Sequence, residues 1–397
     1  MSSADPEARL PAVTVLSGFL GAGKTTLLRH LLSQAEGRRW AVIVNDLAAL
    51  NVDAAVVRRS VSAEAGEVVE LGNGCVCCSG RDDLGEAICR LAAEGRYDEI
   101  IVETTGVAEP REVAMLFTRR NPFGRAVTDF ATLAALVTVV DPAEFLRGLA
   151  ERDTGPRAGA TRPVGELYVE QVECADVVIL NKLDLASEDE RERTRAAVTG
   201  LNPRAELVET ERGQVASEFL LGRQRFDANA TLAGAAWIGE LNAIAPAAAA
   251  LAKEDNAASA PARARPAAAR VTTAEGRFGI RSFVWQARRP LRREAWRAAL
   301  ARGWPGLLRA KGFFWEAEQP DEMGFVSAAG RVVTYEFLNY WWAAMIEAGR
   351  VTAEARPATI RALWQEPHGD RRQEVVFIGI GLDERRIRAD LAACLAG

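Results

Sequence analysis

Three cysteine thiols lie within four consecutive residues of this chain, at Cys75, Cys77 and Cys78 in the glycine-bracketed stretch GNGCVCCSG. Three thiolates suit a borderline or soft ion such as Zn²⁺, with Cu(I), iron or cobalt as alternatives. A structural zinc site normally has a fourth protein ligand, so three ligands leave a position open and suit a metal that is handed over. We predict a transition-metal site here; small buried apolar residues and a redox dithiol are the other interpretations. Core packing is predicted for the remaining cysteines, Cys89, Cys174 and Cys394.

A second motif, GFLGAGKT, matches the phosphate-binding pattern G-x-x-x-x-G-K-[ST] between a β-rich run and a helical pattern. In such a loop the main-chain N–H groups point at the phosphates, and the following helix directs its positive end at the same anion. Lys24 would contact the β- and γ-phosphate oxygens, and the Thr25 hydroxyl would bind Mg²⁺. A glycine-rich turn without a ligand is the alternative. The predicted nucleotide contacts in this loop are Gly18, Gly21, Ala22, Gly23, Lys24, Thr25 and Thr26.

The tetrapeptide Asn181-Lys182-Leu183-Asp184 follows a buried-strand pattern, at the place that GTPases use to bind guanine. The Asp184 carboxylate can accept hydrogen bonds from the guanine ring N–H and from its amino group. Adenine offers no such pair, and an unpaired carboxylate in the site is costly. The stem of Lys182 can lie along the base. These residues predict GTP rather than ATP, and residues 210–213 are a weaker candidate for a segment that closes over the base.

The stretch IIVETTGVAEP places Glu103 at the end of a strand and Gly106 at a turn. A carboxylate in this place holds Mg²⁺, usually through water, and the glycine N–H can contact the γ-phosphate. Asp46 and Asp53 lie in VNDLAALNVD, the segment that would form the first switch, and either could reach the metal of the nucleotide. We predict Thr25 and Glu103 as the Mg²⁺ site. The predicted catalytic residues are Lys24, Thr25, Glu103 and Asp46.

The secondary-structure elements that position these residues can be predicted from the order of strand-like and helical patterns in the sequence. Between Val13 and Phe219, short β-branched runs alternate with helical patterns, which predicts an α/β domain with a mostly parallel sheet. The runs are apolar throughout, as expected of strands covered on both faces. We therefore predict a P-loop NTPase domain at residues 10–225, an Ala/Pro-rich linker at 226–275, and a smaller α+β C-terminal domain at 276–397.

Composition narrows the classes of function. The chain has 397 residues, of which 49% are hydrophobic, enough for two domains with sizeable cores. No apolar run is long enough for a membrane span, and MSSADPEARLPAV lacks the pattern of a secretory signal. We expect a reducing cytoplasm, where clustered cysteines are more often metal ligands or redox groups than disulfides. The net charge of -5 argues against nucleic acid as a partner, and two histidines are too few for a histidine cage.

Taken together, GFLGAGKTT, GNGCVCC, ETTGVAEP, VTVVD, NKLD, RAKGFFW and VVFIG resemble the CobW-type family of metal-chaperone GTPases over nearly the whole chain. The resemblance implies slow GTP hydrolysis, metal binding at Cys75, Cys77 and Cys78, and delivery of the metal, most often zinc, to a client metalloprotein. The first switch is similar to that of zinc-responsive members and of nitrile hydratase activators. Family members commonly have a glutamate where Ala49 stands, and Asp46 stands where another glutamate is usual.

Three alternatives share these motifs. The chain could insert iron or cobalt into one metalloenzyme such as nitrile hydratase, act as a non-catalytic metal sensor, or load cobalt in cobalamin synthesis. Intact Lys24, Thr25 and Asp184 argue against a sensor with a vestigial nucleotide site. We expect no nucleic-acid or membrane partner, and a monomer or a weak homo-oligomer.

Overall fold

The computed structural model describes residues 10–35, 38–44, 66–70, 80–106, 109–117, 120, 125–150, 164–228 and 279–397, with the backbone alone at 66–70 and 80–82. The chain divides into two compact units. The first is built mainly from the chain up to Gly234, and the second mainly from Ala235 onwards.

Seven strands in the described part of the first unit form one sheet, and every neighbouring pair is parallel. They are β1 (Ala12–Ser17), β2 (Trp40–Val44), β3 (Gly66–Glu70), β4 (Glu99–Glu103), β5 (Thr132–Val140), β6 (Val177–Leu180) and β7 (Glu206–Glu209). Their order across the sheet is β3-β2-β4-β1-β5-β6-β7. The seven strands coincide with the β-branched runs of the sequence, so the predicted α/β fold is confirmed.

Helices cover this sheet on both faces. They are α1 (Lys24–Leu32), α2 (Gly80–Ala93), α3 (Pro110–Leu116), α4 (Pro142–Ala150), α5 (Val164–Glu173), α6 (Glu188–Leu201) and α7 (Ser217–Leu220). Neighbouring residues of β2 show the two layers: Val42 packs with Leu27 of α1, whereas Ile43 packs in a second cluster with Ile88 of α2. Successive side chains of a strand point to opposite faces, so both faces must be apolar when both are covered.

Parallel pairing brings the carboxyl ends of neighbouring strands to one edge of the sheet. β1 lies between β4 and β5, where Leu16 is paired with Glu103 on one side and Val137 on the other. β6 lies next to β5. The residues that follow these strands therefore lie at the same edge: the phosphate loop after β1, Glu103 at the end of β4, Asp141 after β5 and Asn181 after β6.

The second unit contains a five-stranded antiparallel sheet in its described residues, ordered β11-β10-β9-β12-β8. The strands are β8 (Ile280–Ala287), β9 (Leu307–Glu316), β10 (Gln319–Ala329), β11 (Val332–Tyr340) and β12 (Gln373–Ile380). The helices are α8 (Arg293–Arg302), α9 (Trp342–Glu347), α10 (Ala358–Leu363) and α11 (Glu384–Ala392). Trp296, Phe314 and Phe377 form the centre of its core, and the predicted α+β character is confirmed. No helix described in either unit is both long and apolar enough to cross a bilayer.

Several predictions concern residues outside the described ranges. The linker predicted at 226–275 lies outside them after residue 228, so the domain boundaries stay a prediction. The same holds for the individual residues Asp46, Ala49, Asp53, Cys75, Cys77 and Cys78.

Candidate functional site

The phosphate loop connects β1 to α1, as its motif predicts. Gly18, Gly21 and Gly23 have φ angles of 131°, 79° and 103°, a region that glycine adopts without the penalty of a side chain. A Cβ on Gly18 would lie 2.2 Å from the carbonyl oxygen of Val139, and one on Gly23 would lie 2.3 Å from Nδ2 of Asn181. The loop therefore packs so closely against its neighbours that neither position accepts a side chain.

Lys24 begins α1 and is buried against the loop. Its Nζ donates to the carbonyl oxygens of Gly18 at 2.8 Å and Phe19 at 3.0 Å. The ammonium group thus lies against the loop main chain, at the end of α1 where helix N–H groups carry partial positive charge. This arrangement fits a polyphosphate. Thr26, also a predicted nucleotide contact, is exposed on α1.

Thr25 joins the phosphate loop to β4. Its hydroxyl donates to Oε1 of Glu103 at 2.6 Å, and Glu103 is buried. The two residues are far apart in the sequence, and they meet because β4 is paired with β1. Hydroxyl and carboxylate oxygens are ligands that Mg²⁺ prefers, so this donor pair fits the predicted Mg²⁺ site.

Asn181 links two loops and is only 1% exposed. Its Nδ2 donates to the carbonyl oxygen of Ala22 at 2.9 Å, and its Oδ1 accepts from the N–H of Gly213 at 2.9 Å. The phosphate loop and residues 210–213 are therefore tied together through one side chain. The segment that the sequence indicated only weakly as a base-side loop lies directly beside the phosphate loop.

Lys182 forms an ion pair that the sequence analysis did not identify. Its Nζ lies 2.8 Å from Oδ2 of Asp141, the residue that follows β5. The other oxygen of Asp141 accepts from the N–H of Ala143 at 3.1 Å, in the first turn of α4. Asp141 thus fixes the charged end of Lys182. Its position after the strand pattern VTVVD was the signal that could have identified it.

Asp184 lies in the short 3₁₀ turn Leu183–Leu185 and is exposed. Arg191 anchors this turn, because its Nη2 donates to the carbonyl oxygen of Leu183 and its Nε donates to that of Ala186, the residue after the turn, at 3.1 Å. The carboxylate predicted to read guanine is therefore accessible and follows Asn181 on the same loop.

Gly106 is buried against the phosphate loop. A Cβ on Gly106 would lie 2.4 Å from the main-chain nitrogen of Leu20. The carbonyl oxygen of Gly106 accepts a hydrogen bond from Nε2 of Gln171 at 3.2 Å. The glycine predicted to contact the γ-phosphate therefore touches the phosphate loop, and no sequence pattern had indicated Gln171 as its partner.

The predicted metal ligands Cys75, Cys77 and Cys78 and the predicted catalytic Asp46 lie outside the described residues, and they stay predictions. Within the ranges that the structure covers, no group of three or more His, Cys, Asp or Glu side chains is arranged to hold a metal ion.

The other cysteines have the environments of packing residues. Cys174 and Cys394 are buried, and Cys89 is half-buried in α2. Burial raises the pKa of the Cys89 and Cys394 thiols, and the carboxylates of Asp129 and Glu86 add to the effect at Cys89. A raised pKa keeps a thiol protonated, whereas a metal ligand must be a thiolate.

Two family descriptions match the chain. The first, CobW/HypB/UreG, nucleotide-binding domain, matches residues 12–209. The second, the cobalamin synthesis protein cobW C-terminal domain, matches residues 280–395.

Characterised relatives share these regions. The zinc-regulated GTPase metalloprotein activator 1 of Dictyostelium discoideum is 33% identical over 408 residues, covering 98% of this chain and 80% of that protein. The zinc chaperone CobW of Pseudomonas aeruginosa is 37% identical over 231 residues, or 54% of this chain and 60% of that protein. The crystal structure of Zn(II)-bound YjiA GTPase from E. coli is 21% identical, covers 98% of this chain and 100% of that one, and superposes with a TM-score of 0.41.

Asn181→Ala should weaken nucleotide binding through both loops at once. The change removes the donor to Ala22 and the acceptor for Gly213, and a buried polar group left without a partner costs about 1–3 kcal/mol. We expect a lower melting temperature and about tenfold weaker binding of both GDP and a non-hydrolysable GTP analogue, measured by calorimetric titration.

Gln224→Ala is the control for this change. The Gln224 amide also donates to main-chain carbonyl oxygens, those of Leu133 and Phe226, but at the opposite end of β5. Its nucleotide affinities should stay unchanged. Wild-type affinities in Asn181→Ala would show that the two loops do not depend on this side chain.

Asp141→Asn should weaken GDP and the GTP analogue by the same factor. The amide oxygen can still accept from Ala143, but the charge opposite Lys182 is lost, and a partly shielded ion pair contributes about 1 kcal/mol. We expect roughly fivefold weaker binding of each nucleotide. The control is Asp383→Asn, which changes another helix-capping aspartate, bonded to the N–H of Arg386 in α11. If Asp141→Asn weakened the binding of only one of the two nucleotides, the result would contradict a role of the Asp141–Lys182 pair on the base side, which both nucleotides share.

Proposed function

The chain belongs to the CobW/HypB/UreG family and is a P-loop GTPase, and on that premise we propose that it is a metallochaperone that delivers a transition metal, zinc in the first place, to a client metalloprotein. The observation that carries the proposal is the combination, in one chain, of a complete phosphate loop and the CxCC sequence at residues 75–78. The Dictyostelium relative, which this chain matches over almost its whole length, is named for zinc regulation and metalloprotein activation, which supports the proposal.

On the nucleotide side, the residues have separate tasks. Lys24 and the loop N–H groups bind the β- and γ-phosphates, and the hydroxyl of Thr25 and the carboxylate of Glu103 hold the Mg²⁺ site. Mg²⁺, when bound, neutralises charge on the phosphates. The N–H of Gly106 contacts the γ-phosphate, and Asp184 accepts hydrogen bonds from guanine. Support for this assignment comes from the contacts among Thr25, Glu103 and the phosphate loop.

On the metal side, Cys75, Cys77 and Cys78 supply three thiolates to the cargo. An ion held by three ligands keeps a position for a ligand from the client, so the metal can be passed on by exchange of ligands. The topology of the described chain on either side of these cysteines supports the proposal. β3 is parallel to the rest of the sheet and ends at Glu70, at the same edge as the phosphate loop, and α2 begins at Gly80.

The two sites act on each other because the CxCC sequence lies in the chain between the segment of Asp46 and the strand that ends at Glu103. Both flanking segments contain a carboxylate that is predicted to lie near the γ-phosphate or its Mg²⁺. Binding of GTP thus changes the affinity for the metal, and hydrolysis reverses the change. Thermodynamic linkage requires the metal to alter GTP affinity by the same factor.

A titration tests the proposal. Zn²⁺ is added to the nucleotide-free protein and to protein loaded with GDP or with a non-hydrolysable GTP analogue. We expect the zinc dissociation constants to differ by about 5- to 150-fold between states, because a coupling free energy of about 1–3 kcal/mol is typical. GTP hydrolysis is followed in parallel.

Lys24→Ala and Cys77→Ala are the controls for this titration. The first should make zinc affinity independent of added nucleotide, and the second should lower zinc stoichiometry while leaving GDP binding intact. Equal zinc affinity in the nucleotide-free and GTP-analogue states of the wild type would contradict the proposal. Competition of Zn²⁺ with Co²⁺ and Fe²⁺ separates zinc delivery from insertion of iron or cobalt.

Asp184→Asn should change the choice of base. The asparagine N–H₂ cannot accept the two guanine hydrogen bonds, but it can donate to the carbonyl that xanthine carries in place of the guanine amino group. We expect GTP binding to fall at least about 100-fold and XTP binding to rise, measured by competition against a fluorescent nucleotide. An unchanged order of GTP, XTP and ATP would rule out guanine recognition by Asp184.

A further inference from the structure

Helix α5 lies directly behind the nucleotide site. All but one of its residues, Val164–Glu173, are buried. Tyr168 packs against Phe19 of the phosphate loop, with 4.4 Å between ring centroids and an angle of 35° between the ring planes. Gln171 lies three residues further on, hence on the same face of the helix, and reaches Gly106. One face of α5 therefore contacts both the phosphate loop and the glycine on the γ-phosphate side.

The main chain of helix α5 at Gln171 is held in place by buried hydroxyl groups. Thr138 of β5 donates its single hydroxyl proton to the main-chain oxygen of Gln171 at 2.7 Å. The hydroxyl of Ser17, 3.0 Å from Oγ1 of Thr138, must then be the donor of that second bond. Ser17 is the last residue of β1 before the phosphate loop. A chain of hydrogen bonds thus runs from the start of the phosphate loop through Thr138 and Gln171 to Gly106.

Gly106 depends on such contacts for its position. Glycine has the largest conformational freedom of all residues, so its own backbone does not fix the direction of its N–H and carbonyl groups. On one side Gly106 packs against Leu20, where no Cβ fits. On the other side, Nε2 of Gln171 holds its carbonyl oxygen. The two contacts together hold Gly106 beside the loop.

We infer that Gln171 is a positioning residue for recognition of the γ-phosphate: by holding the carbonyl group of Gly106 while that glycine packs against Leu20, it keeps the N–H of Gly106 directed at the terminal phosphate. This role rests on the proposed function, in which the N–H of Gly106 contacts the γ-phosphate. It predicts different effects on the binding of GTP and GDP, whereas a purely structural role would affect both nucleotides alike. GDP has no γ-phosphate, so loss of the bond from Gln171 affects GTP and leaves GDP binding as it was.

Gln171→Met is the first variant for the test. Methionine is unbranched and of similar length, so it fills the same space but cannot donate to the carbonyl oxygen of Gly106. We expect binding of a non-hydrolysable GTP analogue to weaken about three- to tenfold, the effect of one net hydrogen bond, with GDP affinity changed less than about twofold. The rate of GTP hydrolysis at saturation should fall by at least the same factor.

Thr138→Val is the second variant. It removes the hydroxyl that fixes the main chain of Gln171, and it should shift the ratio of analogue to GDP affinity in the same direction by a smaller factor. Its result stands even where Gln171→Met fails to fold.

Gln34→Met is the matched control. Gln34 also holds loop main chain, donating to the carbonyl oxygen of Val215 at 3.1 Å and accepting from the N–H of Ser217 at 2.8 Å, but beyond the far end of α1. This variant should lower the melting temperature about as much as Gln171→Met and leave the ratio of the two nucleotide affinities unchanged.

The outcomes separate this inference from the proposed function. Suppose that the wild type hydrolyses GTP. If Gln171→Met and Thr138→Val each weaken analogue and GDP binding by the same factor, or weaken the binding of neither nucleotide, the positioning role is overturned and the GTPase function stands. If the wild type neither binds the analogue nor hydrolyses GTP, the proposed function fails, and the inference fails with it. A selective loss of analogue binding supports both.

Discussion

Parallel pairing of β1 with β4 on one side and β5 on the other is the constraint on which the nucleotide site depends. It places Leu16 beside Glu103, so the strand that leads into the phosphate loop ends next to the carboxylate that bonds Thr25. The strands are buried on both faces, and a shift of register would move apolar side chains out of their packing. The sheet therefore fixes the distance between loop and carboxylate before any ligand contributes.

Beyond the strand ends, the main chain of the loops is held by hydrogen bonds to side-chain amides rather than by pairing with neighbouring strands. Asn181 holds residues 210–213 to the phosphate loop, and Gln171 holds Gly106, the glycine predicted to contact the γ-phosphate. Both amides are almost completely buried, so each bond is protected from competition with water. The two sides are held by different residues. On the proposed assignment of the site, the protein would therefore distinguish a triphosphate from a diphosphate without changing its contacts with the base.

The size of the coupling limits how a metal could be delivered. Structural zinc sites built from thiolates bind with about 10–16 kcal/mol, whereas coupling between two sites in a protein is about 1–3 kcal/mol. Under the proposed coupling, hydrolysis of GTP would weaken the binding of the metal but would not release it into water. On the proposed function, delivery would then require ligands from the client that replace the thiolates of the predicted metal ligands Cys75, Cys77 and Cys78 one at a time. The position left open by three ligands is where such an exchange can begin.

The sequence by itself determined the strands, the phosphate loop, and the places of Lys24 and Thr25 in that loop and of Asn181 directly after a strand. These depend on local patterns: apolar runs of strand length and glycines that only a tight loop requires. It did not reveal Gln171 as the partner of Gly106, nor Asp141 as the partner of Lys182. Those contacts join residues far apart in the chain, and a glutamine within a helix has no local signature. Only the tertiary structure decided them, because a buried side chain takes its partner from whatever the packing of strands and helices places within reach.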